Sequence, residues 1–232
     1  MAQRQVRWHY QWIILHEFLP LTIGQERVDD ILNKRFRFYQ VDEGQDGRRA
    51  RRSKDPLLPI EFSVAAYRFG HSQIRPSYRL NFGPSPGSEF FAFLFDDTQD
   101  PNDPDPIDLR CGKCAPRRFV DWQTFFKFDA TNIRPNKQID GKLSSVVMLL
   151  PGSRGPAPGL PSDGVQSLAS RNLMRHVNFG IPSGQAIARR IGVPALTPTQ
   201  LDDLKPFDMD KSTPLWLYIL KEAEVMEKGL SA

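Results

Sequence analysis

Apolar residues crowd the first twenty positions of the chain. Val6, Trp8, Tyr10, Trp12, Ile13, Leu15 and Phe18 fall on nearly every side of a helical wheel, which predicts a buried helix over 5–19. Pro20 and Gly24 supply stop signals for it. An amphipathic pattern over 25–34 predicts a second helix. Residues 40–59 are rich in Gly, Arg and Asp and end in Pro56 and Pro59, which reads as a loop. Helical spacing returns over 60–74, where Ile60, Val64 and Tyr67 share one face with His71 at steps of three and four.

The pattern then breaks up. Pro84, Pro86, Pro101, Pro104, Pro106 and Pro116 exclude long helices from 81–116. The apolar run 90–95 fits either a strand or a buried turn of helix. Trp122, Phe125, Phe126 and Phe128 make 121–128 a candidate cover for the core. Residues 151–164 form a Pro/Gly-rich loop before a helix over 166–179, which Gly180 and Pro182 should end. Further helices are predicted over 183–191, from Thr197 as an N-cap, and over 215–227. The fold class is therefore mainly α, a helical domain with long Pro/Gly-rich loops, read as one unit over 1–232.

Composition narrows the picture a little. The chain is 40% hydrophobic and 25% charged, with a mean hydropathy of −0.45, which suits a soluble protein with long polar loops. No run approaches the ~18 apolar residues of a transmembrane helix. The N-terminus lacks the apolar core of a signal peptide, and the residues name no compartment, secreted or cytoplasmic. The net charge of +4 is split between a basic run at Arg48, Arg49, Arg51, Arg52 and Lys54 and an acidic one from Asp96 to Asp108. Both read as solvated loops, and no nucleic-acid motif accompanies the basic run, so no nucleic-acid partner is expected. Cys111 and Cys114 form a single C-x-x-C without a second ligand pair for zinc, and read as a loop pair or a local disulfide.

Chemistry concentrates in two segments, AAYRFGHSQIRP (65–76) and RNLMRHVNFGIPSG (171–184). His71 taken alone is an ordinary helix histidine. As a metal ligand it would present one neutral ring nitrogen and need an acceptor for the other. Asn172 has a carbonyl oxygen able to accept from that ring. Arg175 lies three positions on, on the same helix face, with a guanidinium suited to a carboxylate.

The same segments resemble the proximal half of the haem pocket in animal-type haem peroxidases. AYRFGHSQIRP is similar to that family's proximal-histidine segment, and RNLMRHVNFGIPSG to its Asn-x-x-Arg segment followed by Gly-x-Pro. VRWHYQWIILHEFLP (6–20) and PLWLYILKEAE (214–224) are similar to two further helices, in the family's order. Val177, Asn178, Phe179 and Gly180 stand where vertebrate members have Arg-Asp-His-Gly, which points to the bacterial, peroxinectin-like branch. The likeness spans about the C-terminal half of a peroxidase domain.

The resemblance implies haem b as cofactor, His71 as axial iron ligand, Asn172 as its ring partner and Arg175 as a propionate partner. It implies hydrogen peroxide and a small electron donor as substrates. It assigns no catalytic residue in this chain, because the family's distal histidine and arginine precede the first matched block. Calcium belongs to the full-length family domain, and its site is not seen here. The chain alone is accordingly expected to bind haem weakly and turn over little. The alternative is a haem-binding or purely structural chain without catalysis.

Overall fold

The computed structural model describes residues 2–34, 58–85, 87, 89–96, 98–100, 102–110, 112–128, 133–134, 137–150 and 165–230. Residues 40–57 of the expected loop over 40–59, the expected loop over 151–164, the basic run 48–54 and Cys111 lie outside the described residues. The chain divides into two compact units, Met1–Leu57 and Leu58–Ala232.

In the first unit, α1 (Ala2–Ile13) runs through a π-helical turn (Ile14–Phe18) into α2 (Leu19–Ile23), and α3 (Gln25–Lys34) follows. Pro20 does not end the helix, as its type suggested. Proline cannot donate to the carbonyl four residues back and crowds it. The chain widens one turn instead, and the N–H of Leu19 reaches the carbonyl of Ile14. The end comes at Gly24, whose φ of 85° lies in the region that favours glycine. Thr22 Oγ1 donates to the carbonyl of Phe18 at 2.7 Å, and Gln25 Nε2 to Asp29 Oδ1 at 2.8 Å. The expected burial of the first helix is not found. No α1 residue is buried, and Trp8 and Trp12 are 55% and 50% exposed. A helix apolar on every side needs neighbours on every side. Within this unit α3 packs on α2, and among its described residues the buried apolar one is Val28.

The second unit opens with α4 (Ile60–Val64) and a 3₁₀ helix (Ala66–Gln73), separated by Ala65 at φ −125°, ψ −65°. That break overturns the single face expected over 60–74: Val64 is buried whereas Ile60 and Tyr67 are exposed. Strands β1 (Ser77–Asn81) and β2 (Phe90–Phe93) pair antiparallel, with Ser77 opposite Phe93 and a bulge between Arg79 and Asn81. Residues 90–93 of the run at 90–95 are thus a strand. The segment 116–124 straps β1: Asn81 Nδ2 donates to the carbonyls of Pro116 and Phe119, and the N–H of Asp121 to that of Leu80. The expected cover over 121–128 is not formed, since Trp122, Phe125, Phe126 and Phe128 are exposed.

The remaining helices are α5 (Leu168–Asn178), α6 (Gly184–Ile191), a 3₁₀ stretch (Pro198–Phe207) and α7 (Leu215–Leu230). Local chemistry sets their starts. The side chains of Ser167, Ser183 and Thr197 cap three N-termini, the last as a capping box with Gln200. The core gathers Val64, Ala65, Ile181, Leu215, Trp216 and Leu220, with Phe69 and Leu173 packed against it. A second cluster joins Ala188, Leu201, Leu204 and Tyr218. The described architecture is mainly α with a two-stranded sheet. Among the described residues no helix is long and apolar enough to cross a membrane.

Candidate functional site

The 3₁₀ helix and α5 meet over the first core cluster, and there the two candidate segments come together. Phe69 and Leu173 anchor the two elements to the shared core. Their neighbours His71 and Asn172 then face each other across a gap of 101 positions in sequence. Asn172 Nδ2 lies 2.8 Å from His71 Nδ1. His71 is half-buried, and Asn172 is only 2% exposed.

The amide orientation differs from the expected one. The NH₂ group, rather than the carbonyl, faces the ring, so Nδ1 accepts and the ring proton sits on Nε2. Asn172 Oδ1 is buried without a hydrogen-bond partner among the described residues. A half-turn about Cβ–Cγ exchanges the two amide atoms without moving the ring. Oδ1 would then accept from Nδ1–H, and Nε2 would carry a free lone pair. Each orientation thus selects one ring tautomer.

Two guanidiniums act on the ring. Burial is the largest influence on His71 and lowers its proton affinity, Arg68 and then Arg175 lower it further, and Asn172 opposes them in the orientation where its amide oxygen, rather than its NH₂ group, meets the ring. The cations also act on each other: Arg68 is held below its ordinary value by burial and by Arg175. Arg68 Nε is satisfied by the carbonyl of Val64 at 3.0 Å. Arg175 Nε is buried and has no partner among the described residues. The site is therefore a neutral imidazole beside two cations. It suits a group that offers a Lewis acid to nitrogen and carboxylates to arginine. Arg68 belongs to this set although the sequence assigns it no role. Its signal was the three-residue step to His71, which becomes a shared face in a 3₁₀ helix.

A pH dependence of stability follows. His71 and His176 are both held below the ordinary 6.5, the latter by burial, and His176 Nδ1 is buried without a partner among the described residues. The unfolded chain protonates these rings near 6.5 and the folded chain only at lower pH. The unfolded state thus binds more protons below that value, so this stability is complete above 6.5 and is lost as pH falls through the folded values. Thermal unfolding followed by circular dichroism is expected to show Tm falling as pH drops from about 7 to about 5. The pair His71→Gln and His176→Gln should flatten that slope.

Other features stand apart from this site. Two cavities of about 730 and 340 Å³ are lined by Glu26, Arg27, Asp30 and Asn33, and by Ser77, Phe91, Ala92, Phe93 and Arg134. Cys114 is exposed and free.

Comparison with known proteins points the same way. The sequence profile of the animal haem peroxidase family matches residues 1–102. A chorion peroxidase of Aedes aegypti is 29% identical over 110 residues, covering 47% of this chain and 13% of the relative's length. His71 lies inside the profile match, whereas Asn172 and Arg175 lie beyond it. Over its first 102 residues the chain is thus similar to the animal haem peroxidases, and its likeness is to an enzyme of the oxidoreductase class.

Proposed function

We propose that the chain, taken as one partial domain over 1–232, forms the proximal half of a haem peroxidase pocket. The reading places it in the bacterial, peroxinectin-like branch and assigns it about the C-terminal half of the family domain. The observation that carries the proposal is the 2.8 Å contact between Asn172 and His71, which joins two segments distant in sequence at a ring kept neutral.

The residues fit haem b. Its macrocycle supplies four nitrogens, so one protein nitrogen suffices. His71 presents Nε2 to the iron once the Asn172 amide offers Oδ1 to Nδ1–H. That exchange gives the orphaned oxygen a partner and raises the basicity of the ring. Arg175 and Arg68 hold the propionates, whose charges offset the mutual repulsion of the two guanidiniums. Haem supplies the redox chemistry when bound, with hydrogen peroxide as oxidant and a small donor as reductant. No residue here is assigned the acid–base work on peroxide, nor calcium binding.

The test is a hemin titration of the full chain by visible absorption, beside His71→Ala. A saturable Soret shift that vanishes in the variant is expected. An equal shift in both, or none in a chain folded by circular dichroism, would contradict the reading. Peroxide-dependent oxidation of a small donor then separates the two functions. A rate above free haem that His71→Ala abolishes marks a peroxidase, and a rate equal to free haem marks a non-catalytic haem-binding chain.

A further inference from the structure

The segment carrying His71 keeps 3₁₀ winding for eight residues. Such helices seldom exceed three or four, because their hydrogen bonds are poorly aligned and their side chains eclipse. Something must hold this one. Among the described residues, two side chains from elsewhere in the chain bond to it. Asn172 meets the His71 ring, and Trp216 meets the backbone: its indole Nε1–H donates to the carbonyl of Arg68 at 3.1 Å, across 148 positions. Trp216 is 3% exposed and is fixed in the first core cluster beside Val64, Ala65 and Leu220.

The choice of carbonyl matters. In 3₁₀ winding the N–H of residue 71 turns toward the carbonyl of residue 68, whereas α winding would pair it with residue 67. Trp216 therefore ties the carbonyl three residues before His71 to α7, and because that carbonyl would accept from residue 72 in α winding, the tie fixes the position of the segment whichever way it winds. Winding also sets direction. Residues three apart eclipse in a 3₁₀ helix, but lie about 60° apart in an α-helix. The eclipsed form puts Arg68 and His71 on one face, in agreement with the electrostatic influence of Arg68 on the ring.

We propose that Trp216 is a positioning residue for His71: its indole N–H on the Arg68 carbonyl pins the 3₁₀ segment to α7 and so aims His71 and Arg68 at one site. The geometry is a property of the chain alone, and only the haem readout below rests on the proposed function.

The test uses the full chain with Trp216→Phe, which keeps an aromatic ring and removes the donor. Leu220→Ala serves as the control, because it truncates a fully buried side chain of the same cluster and leaves the Arg68 carbonyl alone. If Trp216→Phe fails to fold, 3-benzothienylalanine at this position keeps the bicyclic shape with sulfur in place of N–H. The first readout needs no haem: NMR cross-peaks between the His71 ring and the Asn172 side-chain amide, which report their 2.8 Å contact. In Trp216→Phe these cross-peaks are expected to weaken severalfold, while Leu220→Ala keeps them despite lower stability. In the haem-loaded chain, the indole variant should bind about tenfold more weakly, the equivalent of about 1.4 kcal/mol. The control should change about twofold at most. Equal behaviour of the two variants, or wild-type cross-peaks in Trp216→Phe, would overturn the proposal. If the wild-type chain takes up no haem, the ligand role of His71 falls, and the His71–Asn172 cross-peaks alone decide on Trp216.

Discussion

Replacing Gly184 by alanine is expected to destabilise the second unit by about 3 kcal/mol, the upper range for overpacking. Gly184 opens α6 just after the Ser183 cap, and its N–H donates to the carbonyl of Thr213 at 3.0 Å. A Cβ built there would overlap Cβ, Cγ and Cδ1 of Tyr218, the base of that side chain rather than its tip. Pivoting the ring would not relieve the overlap, so α6 or α7 would have to shift. Neither shift is free. Tyr218 is 2% exposed and its hydroxyl accepts from the N–H of Leu196 at 2.8 Å. Gln185 Nε2 donates to the Asp210 carbonyl and to Thr213 Oγ1, and its Oε1 accepts from the N–H of Thr213. In thermal unfolding, 3 kcal/mol corresponds to a Tm lower by roughly 6–12 °C for a unit of this size. A Tm within about one degree of wild type would show that the α6–α7 contact is looser than described.

Asn172→Leu is the second large effect, and it falls on binding. Leucine fills a similar volume, so the core should survive, but the His71 ring loses its side-chain partner. Partners of metal-bound histidines typically contribute 10–100-fold to affinity, and haem binding is expected to weaken by about that factor. Asn172→Asp separates the two parts of the role. A carboxylate is an acceptor in every orientation, so it fixes the proton on Nδ1 and raises the proton affinity of the ring. Affinity retained in the aspartate variant and lost in the leucine one would identify acceptance from Nδ1–H as the function of this position.

Much of the fold was readable where local chemistry decides it. The cap at Thr197 and the stop at Gly180 set helix boundaries by short-range hydrogen bonds, which residue types announce, whereas the expected helices over 166–179 and 183–191 do not single out their caps, Ser167 and Ser183. The break at Ala65 was not readable. Neither proline nor glycine marks it, and its backbone is set by packing, with Ala65 at 2% exposure against the cluster of Trp216. The course of the chain through Pro20 was also hidden, because a π turn absorbs the missing donor. The exposed aromatics of α1 and of 122–128 show the limit of hydrophobic pattern as a guide to burial. Such a pattern shows that a face can be buried, whereas burial requires a neighbour to cover it. In the site, residue types pointed to His71, Asn172 and Arg175. The fold brings the first two into contact and sets the third beside them electrostatically. The amide orientation and the part of Arg68 depend on winding and burial, which no short motif encodes.

The most direct measurement of the central claim is the iron–imidazole stretching band of the ferrous haem-loaded chain, by resonance Raman, with wild type beside Asn172→Leu and His71→Ala. The account predicts a band in wild type, the same band at lower frequency in Asn172→Leu because the ring has lost its acceptor, and no band in His71→Ala. A band that survives in His71→Ala, or is absent from the wild-type complex, would contradict it.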